Sequence, residues 1–139
     1  PLGVTVIGNK VFVACSPSII VYTDLDGDDR PDRKEVFLSG FRGRDSDHGL
    51  HAVVPGPDGK LYLNTGNGGR HFITDRDGFT VRAGSLYSNA PRRPSDDGRL
   101  YFEGLVMRIG TDARGLQVLG YNFHNSYETA VDSFGNVWN

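Results

Sequence analysis

Two of the four histidines, His48 and His51, open the stretch DHGLHAVVPGPDGKLYLNTGNGGR, residues 47–70. An unperturbed imidazole titrates at about 6.5, which makes it the natural base at neutral pH. Asp47, next to His48, is placed to orient that ring and raise its basicity. His48 and His51 are three residues apart, so strand alternation sends them to opposite faces and argues against one shared metal. At the far end of the stretch, Arg70 follows Gly66-Asn67-Gly68-Gly69 and can offer a planar fork to a carboxylate. Each has an ordinary alternative: a surface histidine at 48 and a solvated loop arginine at 70.

A second concentration of polar chemistry is the acidic loop Asp24-Leu-Asp26-Gly-Asp28-Asp-Arg-Pro-Asp32-Arg-Lys-Glu35. With Asp24 as position one, carboxylates fall at one, three, five, nine and twelve. These are the positions from which an EF-type loop wraps a hard cation. Glycine stands at four rather than six and no helical pattern flanks the loop, so it is not an EF-hand. It matches the Asp-x-Asp-Gly-Asp calcium loops inserted in β proteins. Asp24, Asp26, Asp28, Asp32 and Glu35 are the candidate calcium ligands, acting as a structural staple rather than in catalysis. The alternative is a solvated acidic turn balanced by Arg30, Arg33 and Lys34.

The elements that must position these groups read as strands. Ala52-Val53-Val54 leads into Pro57-Asp58-Gly59 and Leu61-Tyr62-Leu63 leads out, a hairpin whose proline presets the turn and whose glycine takes the left-handed position. A hairpin brings its open ends together, so Asp47, His48, His51, Asn64, Asn67 and Arg70 should share one rim. Before it, β-branched and aromatic runs at 4–7, 10–15, 19–23 and 35–38 predict a four-stranded unit over residues 1–40. The second unit spans 48–120, with strands at 49–54, 60–65, 101–109 and 116–119 and a polar excursion at 71–99. A third unit opens at 127–139.

The glycine turns at Gly8, Gly59 and Gly135 recur 51 and 76 residues apart, the second spacing falling to 47 without the 29-residue excursion. Four strands at such a period predict an all-β chain: a β-propeller fragment of about two and a half four-stranded blades. Equivalent positions in successive blades converge near the axis, so His124 and Asn125, in Asn122-Phe123-His124-Asn125, are expected to meet His48.

Composition narrows the classes further. A formal net charge of −2 with no basic run argues against a nucleic-acid or anionic-membrane partner. Cys15, alone in an apolar run, reads as a buried small hydrophobe and says nothing of redox compartment. No apolar run is long enough to cross a bilayer. The chain reads as an interior piece of a longer protein, marginally stable alone because two and a half blades leave a sheet edge open.

HGLHAVVPGPDGKLYLNTGNGGR, followed by LGYNFHNSYETAVDSFGNVW, resembles the quinoprotein soluble sugar dehydrogenases. With YTDLDGDDRPDRKEVFLSGF, the likeness is greatest to the large membrane-bound dehydrogenases of the planctomycete and verrucomicrobial groups. It covers nearly the whole chain apart from residues 71–99. The PDGKLY hairpin is common to many propellers, whereas DHGLH, NTGNGGR and the NFHNSYETAVDSFGNVW segment together are far more specific.

The resemblance implies a six-bladed parent binding pyrroloquinoline quinone and calcium, and oxidising a sugar or related alcohol. By carry-over His48 takes the hydroxyl proton, His124 and Asn125 match an Arg-Asn pair that holds and polarises the cofactor, and Arg70 lies in the glycine-rich loop approaching it. His124 stands where the family has arginine, which removes the bidentate fork and the permanent charge. The family's catalytic calcium ligands have no visible counterpart here. The resemblance also implies a periplasmic or otherwise extracytoplasmic, membrane-associated parent whose cytochrome c domain accepts the electrons. Two other classes compete: a non-catalytic propeller binding carbohydrate or a protein partner at the same face, and a lactonase-like hydrolase, disfavoured because its axial acidic ligands are not evident.

Overall fold

The computed structural model describes residues 1–43, 48–88 and 90–139, which form thirteen strands and no helix. No helix is therefore long and apolar enough to cross a membrane. Strands β1 (Gly3–Ile7), β2 (Lys10–Cys15), β3 (Ser18–Thr23) and β4 (Arg33–Ser39) make an antiparallel sheet in that order. β5 (Leu50–Pro55) and β6 (Lys60–Thr65) join β10 (Gly104–Gly110) and β11 (Gln117–Phe123) in the order β11-β10-β6-β5. Between them, β7 (His71–Thr74), β8 (Thr80–Gly84) and β9 (Tyr101–Phe102) form a small sheet in which β8 and β9 run parallel. β12 (Ala130–Val131) and β13 (Val137–Trp138) close the chain as a short ladder. The chain is all-β, and none of its sheets closes on itself.

One local device ends five of these hairpins or bends. At 56–60, 75–79, 95–99, 110–114 and 132–136 the first residue's N–H bonds the carbonyl four residues on, while its own carbonyl accepts from the residue three on. The fourth residue is left-handed every time: Gly59, Gly78, Gly98, Ala113 and Gly135. This is a type I turn closed by a bulge in the left-handed region, where a Cβ is disfavoured. An aspartate caps each turn with its carboxylate, as Asp58 does for the Lys60 N–H at 3.2 Å and Asp132 for the Asn136 N–H at 2.9 Å.

Alternation does the rest. β2 and β3 bury every second residue, sending Phe12, Ala14, Ile19 and Val21 inward, where Phe12 meets Phe37 edge-on at 5.3 Å. β6 is central and buried on both faces, so its run Leu61–Thr65 is entirely covered. Its two polar residues there are satisfied: Asn64 bonds the Ala52 N–H, and Thr65 Oγ1 accepts from Leu105 N at 3.1 Å. The two large sheets meet where β1 lies against β5, and Gly3 is the point of closest approach. A Cβ there would stand 2.7 Å from the His51 carbonyl and 3.0 Å from the Ala52 Cα.

The polar excursion is more ordered than its composition suggests. Ile73, Val81 and Ala83 from it enter the main core, and Asp96 ties it down by accepting from Thr80 N. The strand expected over 101–109 is broken at Glu103, whose φ of 58° turns the chain from one sheet to the next. Cys15, read as buried, is half-buried at the end of β2.

Gly40 joins β4 to the excursion: its carbonyl accepts from Phe72 N at 2.9 Å and its φ is +104°. A Cβ at that position would collide with the Phe72 carbonyl. Gly40→Ala is expected to lower the unfolding free energy by about 3 kcal/mol, from combined strain and overpacking. Gly59→Ala, left-handed but in open space, should lose about 1 kcal/mol. Urea denaturation of both variants measures the difference, and equal losses would rule out the close contact.

Candidate functional site

The loop that leaves β6, residues 66–70, touches most of the candidate residues. Gly66 N–H bonds the Gly49 carbonyl at 2.9 Å and fixes the loop to the entry of β5. Asn67 then reaches the segment after β11 twice. Its backbone N–H donates to Asn125 Oδ1 at 3.0 Å, and its amide nitrogen lies 2.9 Å from His124 Nδ1. An amide nitrogen can only donate, so His124 Nδ1 accepts and the ring proton sits on Nε2. His124 is exposed, and that N–H is a donor at the rim. Asn125 has a φ of 50°, a left-handed position that asparagine tolerates better than most residues.

Gly68 carries the other half of the arrangement. A Cβ on it would lie 2.6 Å from Cδ2 and 2.7 Å from Cγ of His48, so the half-buried imidazole rests on the glycine backbone. One four-residue loop thus contacts His48, His124 and Asn125, groups up to 77 positions apart in sequence. Asp47 lies outside the described residues.

His51 goes inward. It is buried, stacks on Tyr127 at 4.7 Å and 11°, and its Nδ1 lies 2.7 Å from the Ser126 carbonyl, which requires the proton on Nδ1. The remaining histidine, His71 at the start of β7, carries no sequence signal of a role. Its Nδ1 accepts from Arg42 N at 3.2 Å, and Gly69 packs against its ring. Burial lowers its pKa to about 4, the charge of His51 acts in the same direction, and the nearby Gly66 carbonyl opposes both. His71 is therefore neutral at physiological pH and structural.

The acidic loop is gathered only in part. Asp24, Asp26 and Asp28 offer carboxylate oxygens all within 4.8 Å of one another. Asp24 Oδ1 also accepts from Gly27 N at 2.6 Å and Oδ2 from Asp29 N at 3.0 Å, and the Gly27 contact leads the effects that hold its pKa below 3.8. Asp32 turns to Leu25 N at 2.6 Å. Glu35, on β4, is paired with Arg33 at 2.5 Å and reaches Arg76 at 4.0 Å, so it stands apart from the three aspartates.

Arg70 does not join the His48 rim; it lines a cleft of about 800 Å³ between the end of β4 and the β7–β8 hairpin. Arg42, Arg82, Arg92 and Arg93 line it too, although the sequence shows no basic run. Arg82 is anchored, with Nη1 2.7 Å from Asp96, 3.0 Å from the Pro94 carbonyl and the guanidinium 5.0 Å over the Phe72 ring. Asp96 is held below the ordinary carboxylate range chiefly by that arginine.

The chain belongs to the family described as a domain of unknown function (DUF7133), which it matches over residues 1–138. No curated protein and no solved structure matches it.

His71 makes stability pH-dependent with a definite sign. Between 6.5 and about 4 the unfolded chain takes up a proton that the buried ring refuses, so stability falls as pH falls through that window. The loss should approach about 3 kcal/mol below the window. His71→Asn keeps an acceptor for Arg42 N–H while removing the titration, and should flatten that part of the stability–pH curve. Chemical denaturation from pH 7 to 4 gives the comparison, and an equally steep curve in the variant would assign the effect elsewhere.

Proposed function

We propose that the chain forms about two and a half blades of a six-bladed β-propeller in a quinoprotein dehydrogenase that oxidises a sugar or related alcohol. The observation that carries this reading is the 66–69 loop, which packs under His48 and bonds both His124 and Asn125. A base and two hydrogen-bonding groups from distant parts of the chain are then gathered around one loop. The backbone contact of β1 with β5 at Gly3 supports it further, as neighbouring blades in a propeller meet along adjacent strands.

The rim suits a planar, carboxylated cofactor. His124 offers an outward Nε2–H and Gly68 leaves the space above it to the His48 ring, where any side chain would intrude. Pyrroloquinoline quinone, when bound, supplies the acceptor for the hydride that leaves the carbinol carbon. His48 takes the hydroxyl proton as that hydride departs and releases it to solvent. His124 and Asn125 would hold the cofactor, with Asn67 fixing their orientation. Without arginine's permanent charge, His124 contributes one hydrogen bond where the related enzymes have two. A cytochrome c domain of the parent, outside the cytoplasm, would accept the electrons in this reading.

Calcium belongs to this reading as a staple on Asp24, Asp26 and Asp28, the carboxylates whose oxygens converge. Added calcium should raise the melting temperature and Asp26→Asn should remove that response; a melting temperature indifferent to calcium and chelator would dismiss the staple.

The full parent, reconstituted with quinone and calcium, should reduce an artificial electron acceptor when given sugars. His48→Ala should lower kcat by about 10²–10⁴-fold with the fold intact. Undiminished turnover in that variant would remove the base assignment. No turnover with any sugar or alcohol would favour the non-catalytic propeller that binds carbohydrate or a protein partner.

A further inference from the structure

We propose that the arginine-lined cleft between the end of β4 and the β7–β8 hairpin binds a small ligand carrying two or more carboxylate, sulfate or phosphate groups. Arg42, Arg70, Arg82, Arg92 and Arg93 line it from four separate segments, and among the described residues neither aspartate nor glutamate lines it. The chain as a whole is formally −2, so this is charge segregation rather than general basicity. A concavity walled by one sign of charge focuses its field and concentrates counter-ions of the other sign.

Outside the cleft, Arg33, Arg76, Arg108 and Arg114 each have a carboxylate partner, whereas the exposed Arg30 and Arg99 pair with none among the described residues and lie apart from each other on different turns. Inside it, only Arg82 has such a partner, Asp96; among the described residues no carboxylate pairs with Arg42, Arg70, Arg92 or Arg93. Four arginines without a carboxylate partner among the described residues thus line one space, and a guanidinium fork is suited to bidentate bonding of a planar or tetrahedral oxyanion. The volume of about 800 Å³ lies within the range of small-molecule sites, which favours a compact oligoanion over a nucleic-acid duplex.

The walls are fixed in advance. The Pro17 carbonyl accepts from both Gly40 N and Phe41 N, and Gly40 in turn accepts from Phe72 N, so both sides of the cleft are tied through main chain. Arg82 is locked by Asp96 and Phe72. Preorganisation of this kind reduces the ordering a ligand must impose. The cleft is distinct from the histidine rim, as none of His48, Asn67, His124 and Asn125 lines it. They are nevertheless neighbours, because Arg70 lies two residues beyond Gly68. Binding does not depend on the dehydrogenase reading; where that reading holds, the cleft receives the acidic part of the substrate.

Isothermal calorimetry on the full chain tests the proposal with three probes: inorganic sulfate, citrate and a trigalacturonate. Citrate or trigalacturonate should bind saturably and more tightly than sulfate, and more weakly as salt is raised. Each of Arg70→Gln and Arg93→Gln should weaken that binding about tenfold, corresponding to one charged hydrogen-bond pair. Arg33→Gln, outside the cleft, and His48→Ala should leave it unchanged. Absence of saturable binding by all three probes, or equal affinity in the Arg70→Gln/Arg93→Gln protein, would overturn the proposal. Displacement of every probe by the quinone at stoichiometric amounts would also overturn it, by making the cleft part of the cofactor site. Retained citrate binding in a parent that turns over no sugar would leave the cleft standing and remove only the dehydrogenase.

Discussion

The Ser126 carbonyl oxygen accepts two hydrogen bonds, from Asn64 Nδ2 at 2.6 Å and from His51 Nδ1 at 2.7 Å. Both donors sit on the neighbouring strands β5 and β6 and are buried, and Asn64 completes its amide by accepting from Ala52 N at 2.9 Å. Shifting residues 124–126 by one position would strand a buried amide and a buried imidazole N–H, each at about 1–3 kcal/mol. The segment is thereby locked to β5 and β6, and Tyr127 covers the lock by stacking on His51. The positions of His124 and Asn125 against Asn67 follow from it. Polar satisfaction in the core, rather than contact at the rim itself, decides where the exposed candidate groups stand.

The glycines of the loop after β6 are explained by the same crowding. Gly68 and Gly69 do not have unusual φ angles; what they lack is room, Gly68 against His48 and Gly69 against Arg42 and His71. A glycine-rich loop is often read as a hinge, yet here each missing Cβ admits another residue's ring or carbonyl. The loop is consequently a spacer of defined thickness between the histidine rim on one side and the arginine cleft on the other.

Much of the fold was legible because turn chemistry is local. Pro57-Asp58-Gly59 announces its own hairpin, and the alternating runs of β2 and β3 announce which face is buried. The meeting of residue 124 with the loop after β6 was reachable only through the long repeat, since nothing near Asn122-Phe123-His124-Asn125 hints at it. Glu35 shows where linear spacing misleads. Counting placed it at the twelfth position of a cation loop, but strand pairing with Val21 sets its direction and two arginines take its charge. The excursion was illegible for a different reason. Its apolar residues are few and scattered, and Ile73, Val81 and Ala83 become core only because two larger sheets stand ready to receive them.

The arginine cleft was hidden by arithmetic: its members come from five positions spread over fifty residues, inside a chain of slightly negative charge. Where the carboxylates went explains why the guanidinium groups remain available. Asp58, Asp75, Asp97, Asp112 and Asp132 each accept backbone N–H bonds within their own turns, and Asp24 and Asp28 do so in the acidic loop. Such caps favour the ionised form, which is why Asp24 and Asp132 lie below the ordinary carboxylate range, Asp132 chiefly through the Asn136 side chain. Where these carboxylates also meet a guanidinium it is one outside the cleft, Asp58 reaching Arg108 and Asp112 reaching Arg114. The same aspartates that close the hairpins therefore leave the cleft's positive charge uncompensated, so that fold and surface potential arise from one choice of turn residue.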